Sequence, residues 1–403
     1  MLLDVGIRRA RRRLRRHRRD AAAGVSTVAT LIADVELSAP TAITLPNGTS
    51  RVLALVRWRG VPIGLVALDG NGEIPAPRLR DALAARVHPP DPPCEPAPPA
   101  APLSVVVCTR ERAEDLVRCL DGLRPIAAAG HEVIVVDNAP LTDATATVAA
   151  RHPVRYVREP RVGLDNARNR GLREAQHPII AYIDDDAVAD ARWVDALAQP
   201  FADPAVGCVT GLVLPLELET QAQHVFEAYA QHRRTFTRCV YTAADTRPAT
   251  AGVVGVGANM ALRRDLALRL GGFDPRLDAG TRTCSGGDTD MFARVLDWGA
   301  SIVYTPHALV WHRHRTTDAE LRRCIFGYGV GVYAFLTKRL IEGGDLRALV
   351  VAARWLVGPF LRAARRRFAG EAAAPVRLLL LEAAGAAAGP ARFLAEHRRQ
   401  RAA

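Results

Sequence analysis

The sequence predicts an α/β protein. Its main part is a Rossmann-like, mostly parallel sheet with helices on both faces, preceded by a small β-rich module and followed by a helical tail. Three observations predict this. From residue 103 the chain alternates short Val/Ile-rich runs with helical segments, the pattern of buried parallel strands joined by crossovers. Before that, residues 88–102 read HPPDPPCEPAPPAAP. So much proline cannot continue a helix or a central strand, so this is a linker and a domain boundary. From residue 345 on, aliphatic, Trp and Phe positions are mixed with arginines, the composition of an amphipathic interfacial helix or of a helix packed on the domain.

In chain order, residues 1–20 form a basic arm with nine arginines between Arg8 and Arg19. Without those nine, the net charge of +12 falls to +3, so the basic balance says little about the main domain. A charge block of this kind is a solvated, disordered arm, and an anionic membrane or nucleic acid is what it would otherwise attract. Residues 21–87 are the β-rich module. Its runs SRVLALVRWRG and VPIGLVALDG are separated by the turn signals PNG and DGNG, and APRLRDALAARV closes it as a helix.

The domain of residues 103–320 begins with strands at 103–108, 132–137, 154–159 and 179–184, and helices at 112–123, 142–152 and 164–175. In its second half VGCVTGLVLPL, GVVGVGANMALRR and SIVYTPHALVWHRH read as strands, with helices at RDLALRLGGFDP and GGDTDMFARVLDWGA. Residues 321–403 are the helical tail.

Composition removes several classes. A chain of 403 residues that is 49% hydrophobic is not wholly disordered. Its seven cysteines are scattered without a CxxC pair, which argues against a zinc knuckle and for reduced thiols. The arginine run lacks a following apolar stretch, and no uninterrupted apolar run reaches ~18 residues, so neither a secretory signal nor a spanning helix is expected. Lys338 is the only lysine among 54 basic residues.

The residues with chemistry cluster at strand ends and helix starts. IIAYIDDDAVAD places Asp184, Asp185 and Asp186 just past a buried run. In an extended segment residues two apart share a side. Asp184 and Asp186 would then converge on a hard divalent cation, with Asp185 pointing away as the least constrained of the three. Asp137 ends the second strand, where an acid can accept from a base or ribose and where DN is equally a turn signal. EPRVGLDNARNRG gathers Gly163, Asp165, Asn166, Arg168, Asn169 and Arg170 at a helix start, a place that favours anions. Asp288 follows Gly286 and Gly287, where it can cap a helix or face a cleft as a general base. Asp290 lies on another side of that helix. His312 and His314 alternate on one strand face as candidate metal ligands.

Taken together, SVVVCTRERAEDLVRCLDGL, EVIVVDNAP, GLDNARNRG, AYIDDDA, GANMALRR, GGFDP and GGDTDMFARVLDWG resemble the family 2 glycosyltransferases of the GT-A fold, over residues 103–315. The resemblance implies an inverting sugar transfer from a nucleotide-activated donor to a hydroxyl acceptor: a glycan, a lipid-linked sugar or a small molecule. It implies Asp288 as base. It implies Asp184 and Asp186 as a DxD element holding Mg²⁺ or Mn²⁺, completed by His312. The nucleotide-sugar would lie against Thr109, Arg110, Asp137, Asn138, Asp165, Arg168, Asn169, Asp184 and Asp185. It also implies a cytoplasmic enzyme, peripheral at the inner face of a bacterial membrane and building a cell-surface glycan. One departure stands out: the family's Glu-Asp pair is here Gly287-Asp288, which puts the glutamate's acceptor contact in doubt. A nucleotidyltransferase would need a Gly-rich loop with a lysine near the first strand, and a nicotinamide oxidoreductase G-x-G-x-x-G there; CTRERAED offers neither. A polyanion-binding protein would rest on the arginine arm alone.

Overall fold

The structure, a computed structural model, describes residues 29–89, 101–229, 235–370 and 374–401. The basic arm and most of the proline-rich linker lie outside the described residues.

The β-rich module is built from β1 (Thr30–Glu36), β2 (Ile43–Thr44), β3 (Arg51–Trp58), β4 (Val61–Asp69), β5 (Glu73–Ile74) and helix α1 (Ala76–Ala84). β1 runs parallel to β3, and β3 antiparallel to β4. Leu79 and Leu83 of α1 cover Val52, Ala54 and Val56 of the sheet. The module is not a separate bead. Leu55 and Leu65 pack on Leu212, Leu214, Leu309 and Trp311 of the main domain. Arg57 joins Asp34 of the module to Asp190.

The main sheet uses β6 (Ser104–Thr109), β7 (Glu132–Asn138), β8 (Arg155–Glu159), β9 (Ile179–Asp184), β10 (Ala187–Ala189), β11 (Val206–Pro215), β12 (Cys239–Tyr241), β13 (Asn259–Arg263) and β14 (Ser301–His312). Its order is β10-β14-β11-β13-β9-β6-β7-β8, with β12 pairing β14. β6 to β9, β11 and β14 run one way; β10, β12 and β13 run against them. The sheet is thus mostly parallel, with a reversed strand at its centre.

Helices α2 (Ala113–Ala128), α3 (Ala144–Ala149) and α5 (Trp193–Ala198) cover one face, and α4 (Leu164–Glu174), α7 (Arg264–Arg269) and α8 (Gly287–Asp297) the other. Strand alternation builds both cores at once. Val106, Ile134, Val136, Ile180 and Tyr182 face α4 and α8. Val105, Val107, Val133, Val135, Ala181 and Ile183 face α2 and α5. Burial on both faces is why these strands read as continuous aliphatic runs. One expected strand is shorter: in GVVGVGANMALRR only Asn259–Arg263 is extended, while Pro248–Val253 forms a 3₁₀ turn.

A short helix α6 (Gln221–Tyr229) precedes the tail, which holds α9 (Asp318–Gly343), α10 (Arg347–Phe368) and α11 (Val376–Arg401). Thr317 and Glu320 cap α9 with a capping box. α9 and α11 meet at glycines. A Cβ on Gly329 would sit 2.0 Å from the Glu382 carbonyl oxygen, and one on Gly385 2.1 Å from that of Phe326. Against expectation, α9 and α11 are long and apolar enough to cross a membrane by length and composition, although 44% and 39% of their apolar windows are buried within the molecule. Lys338 of α9 places its ammonium 2.7 Å from both Asp274 and Asp290, fastening the tail to α8. Asp290 therefore faces the tail and not the cleft, as the helix period requires.

Candidate active site

Strand register assembles the first half of the site. Cys108 pairs with Asp184 and Thr109 with Asp137, which sets Thr109, Asp137 and Asp184 side by side at the carboxyl ends of β6, β7 and β9. Such ends are where open α/β sheets bind ligands. Asp185 and Asp186 form the turn into β10, whose Ala187 pairs with His312 of β14. This pairing carries His312 back to the aspartates: its Nε2 lies 3.0 Å from Asp186 and 3.7 Å from Asp184. One ligand atom from each of Asp184, Asp186 and His312 falls within 4.8 Å of the others.

The three aspartates differ. Asp184 stays partly exposed. Burial alone would raise Asp186, but His312, Arg112 and Arg315 overcome it and hold that carboxylate well below its usual range. Burial would lower His312, but Asp186 and Asp184 push it up to about 10. Asp185 is the correction. It is not idle, because the segment is a turn and not an extended strand. Asp185 is buried, accepting from the Thr109 hydroxyl at 2.7 Å and from Arg112 at 2.7 Å. Burial pushes it up to about 7 against those partners. Thr109 is thereby a holder of Asp185, while Arg110 beside it is exposed.

The second half gathers around Arg168 of α4. Its guanidinium reaches Asp165 at 3.0 Å and Asp278 at 2.6 Å, and lies over the Phe273 ring at 5.4 Å. Asp288, in the first turn of α8, accepts from the Gly257 N–H at 2.7 Å. Burial and the neighbouring Asp278 charge raise both Asp288 and, further, Asp165. The missing glutamate has a local explanation. A Cβ at Gly287 would sit 1.9 Å from Asp165 Oδ2, so the Asp165 carboxylate occupies the room that a side chain at 287 would need.

Two expected residues, Asn138 and Asn169, serve the backbone instead. Asn138 donates to the Arg161 carbonyl and accepts from the Gly163 N–H, shaping the entry to α4. Gly163 turns there at φ +129°, a value that favours glycine. Asn169 bonds both the N–H and the carbonyl of Phe273. His314 leaves His312, pairing with Glu227 at 2.9 Å and resting on Phe226. Asp137 is buried and accepts from the Tyr156 hydroxyl at 2.7 Å. Arg112, Arg315, Asp278 and Tyr156 were not anticipated; only Arg112, in the loop straight after β6, carried a positional signal.

Residues 104–271 match the model for glycosyl transferase family 2. Over 295 residues the chain is 28% identical to the pre-mycofactocin glycosyltransferase of Mycobacterium tuberculosis, covering 70% of this chain and 59% of that protein's length. It is 27% identical over 257 residues to the succinoglycan biosynthesis protein ExoM of Rhizobium meliloti, covering 62% of this chain and 75% of the relative. Among solved structures, the mannosyltransferase PcManGT of Pyrobaculum calidifontis, in complex with GDP-Man and Mn²⁺, aligns over 76% of this chain and 77% of its own, with 20% identity and a TM-score of 0.46. Through residues 104–271, the chain is thus similar to glycosyl transferase family 2.

Proposed function

We propose that the protein transfers a sugar from a nucleotide-sugar donor to a hydroxyl acceptor, with inversion and with Mg²⁺ or Mn²⁺ on the donor diphosphate. The observation that carries this reading is the convergence of Asp184, Asp186 and His312 within 4.8 Å beyond the strand ends. The donor set suits a divalent cation: two carboxylates, one ionised well below neutrality, and one imidazole. His312 is drawn toward its protonated form by the same carboxylates, so positive charge is already favoured at this point. When bound, the cation would neutralise charge on the leaving diphosphate.

The chain's own groups do the rest. Asp288 takes the proton from the acceptor hydroxyl as that oxygen attacks the anomeric carbon. The Gly257 N–H fixes one of its oxygens, and its raised proton affinity suits a base. Asp137, steadied by Tyr156, accepts from the nucleoside. Arg168 restrains Asp165 and Asp278 beside Asp288. The relative named for succinoglycan biosynthesis supports a glycan acceptor; a lipid-linked or small-molecule acceptor, and a reaction in the cytoplasm at the inner face of the membrane, belong to the same proposal.

A screen of nucleotide-sugars by thermal stabilisation, with and without Mn²⁺ or Mg²⁺, tests the reading. One donor should raise Tm only with metal present, and Asp186→Ala should abolish that rise. No stabilisation by any donor with either metal, or turnover of sugar phosphates with nucleotides instead, would count against it.

A further inference from the structure

The tail holds a surface that neither the sheet nor the site requires. Helix α10 carries six arginines and no acidic residue over its 22 residues. Its inner edge is occupied: Ala348 and Ala363 are buried, Trp355 meets the Tyr333 ring edge-on at 5.8 Å, and the Tyr333 hydroxyl donates to the Ala352 carbonyl at 2.7 Å. The opposite edge is also apolar. Leu349, Val350, Leu356, Val357 and Leu361 are exposed, and Phe368 is 94% exposed.

At ~100° per residue these six fall on one arc of about 140°, along a helix roughly 33 Å long. Arg347, Arg354 and Arg365 line one border of that arc. Apart from Arg367, which falls inside the arc, the residues there are apolar, and exposed apolar surface of this kind marks an interaction site. Charge decides which one. A second copy would set Arg347, Arg354 and Arg365 of one helix against the same arginines of the other, whereas an anionic bilayer offers acyl chains for the arc and phosphates for the border. Arginine stems can lie along the apolar surface while the guanidinium reaches the headgroups.

We propose that α10 lies in the headgroup region of an anionic membrane, with Leu349, Val350, Leu356, Val357, Leu361 and Phe368 inserted. This names the surface behind the membrane placement proposed above, but it does not depend on the sugar chemistry, since vesicle binding and glycosyl transfer are read separately.

The test is co-sedimentation of the full chain with phosphatidylcholine vesicles, with and without phosphatidylglycerol. The wild type should bind the anionic vesicles at least about tenfold more tightly than the neutral ones. Val357→Asp with Leu361→Asp should weaken that binding by at least about tenfold without lowering Tm, because both positions are exposed. A variant with the nine arginines of residues 8–19 changed to glutamine should keep binding that the double variant loses. Unchanged binding by the double variant would overturn the proposal. So would binding that vanishes with the arm arginines alone, or a lipid-free dimer that the double variant converts to monomer.

Discussion

Two acidic clusters lie within electrostatic reach of each other, Asp184 acting on Arg168, and are built on opposite plans. At the end of β9, three carboxylates are met by Arg112, Arg315 and His312. Around α4 and α8, three carboxylates share a single arginine, Arg168, with Asp165 and Asp278 in direct contact and Asp288 beside it. The consequences diverge. Asp186 is held ionised far below neutrality, while Asp165 and Asp288 are pushed up. At Asp186 the neighbouring cations outweigh burial and the charge is kept, although Asp185 beside it is pushed up; at Asp165 and Asp288 burial and a like charge raise the proton affinity, which suits a group that moves a proton.

The largest expected effects break each plan outright. Asp186→Ala should abolish metal-dependent transfer, and Asp288→Ala should lower kcat by about 10²–10⁴-fold, with circular dichroism and Tm showing the fold retained. Full activity in either variant would end the assignment of roles. Next, Gly287→Glu should destabilise by ~1–3 kcal/mol, because the new side chain meets Asp165. Asp165→Gly in the same chain should recover much of that loss, and a double-mutant cycle of Tm values with no coupling would show that the two positions do not share space.

Asp185→Ala comes third. It leaves the Thr109 hydroxyl without its buried acceptor and takes from Arg112 one of its two buried carboxylates, Asp186 remaining, a loss of about 1–3 kcal/mol by denaturant titration. Its activity loss should stay below that of Asp186→Ala; the reverse order would make Asp185 the ligand. The smallest effect is a shift of pH dependence. The Asp278 charge helps to raise Asp288, so Asp278→Asn lowers the proton affinity of the base. In the proposed mechanism Asp288 acts deprotonated, so the acid limb of kcat/KM should move to lower pH. A limb that stays or moves upward would remove Asp278 from the base's environment.

The sequence made the strands of residues 103–184 legible because each is buried on both faces and so reads as a Val/Ile run. It also made the strand-end acids legible, since buried runs that stop at aspartate have few other readings. What it hid was hidden by physics. Periodicity treated 184–186 as extended, whereas a turn into the three-residue β10 brings Asp185 inward. A strand that short has no period to detect. Arg112 meets Asp185 across 73 positions and Arg168 meets Asp278 across 110, separations that no local pattern records. His312 and His314 share a spacing, yet β14 ends between them and the second turns to Glu227. The β-rich module was visible as strands, but its contact with Trp311, next to His312, and with Asp190, just after β10, was not.

Lys338 has a consequence of a different kind. It is the chain's only side-chain amine, and it sits between Asp274 and Asp290 where α9 meets α8. An amine-directed reagent therefore has a single internal target, shielded for as long as α9 stays in place. The rate at which Lys338 becomes acylated is a built-in clock for the departure of the tail from α8, readable by mass spectrometry without altering a residue.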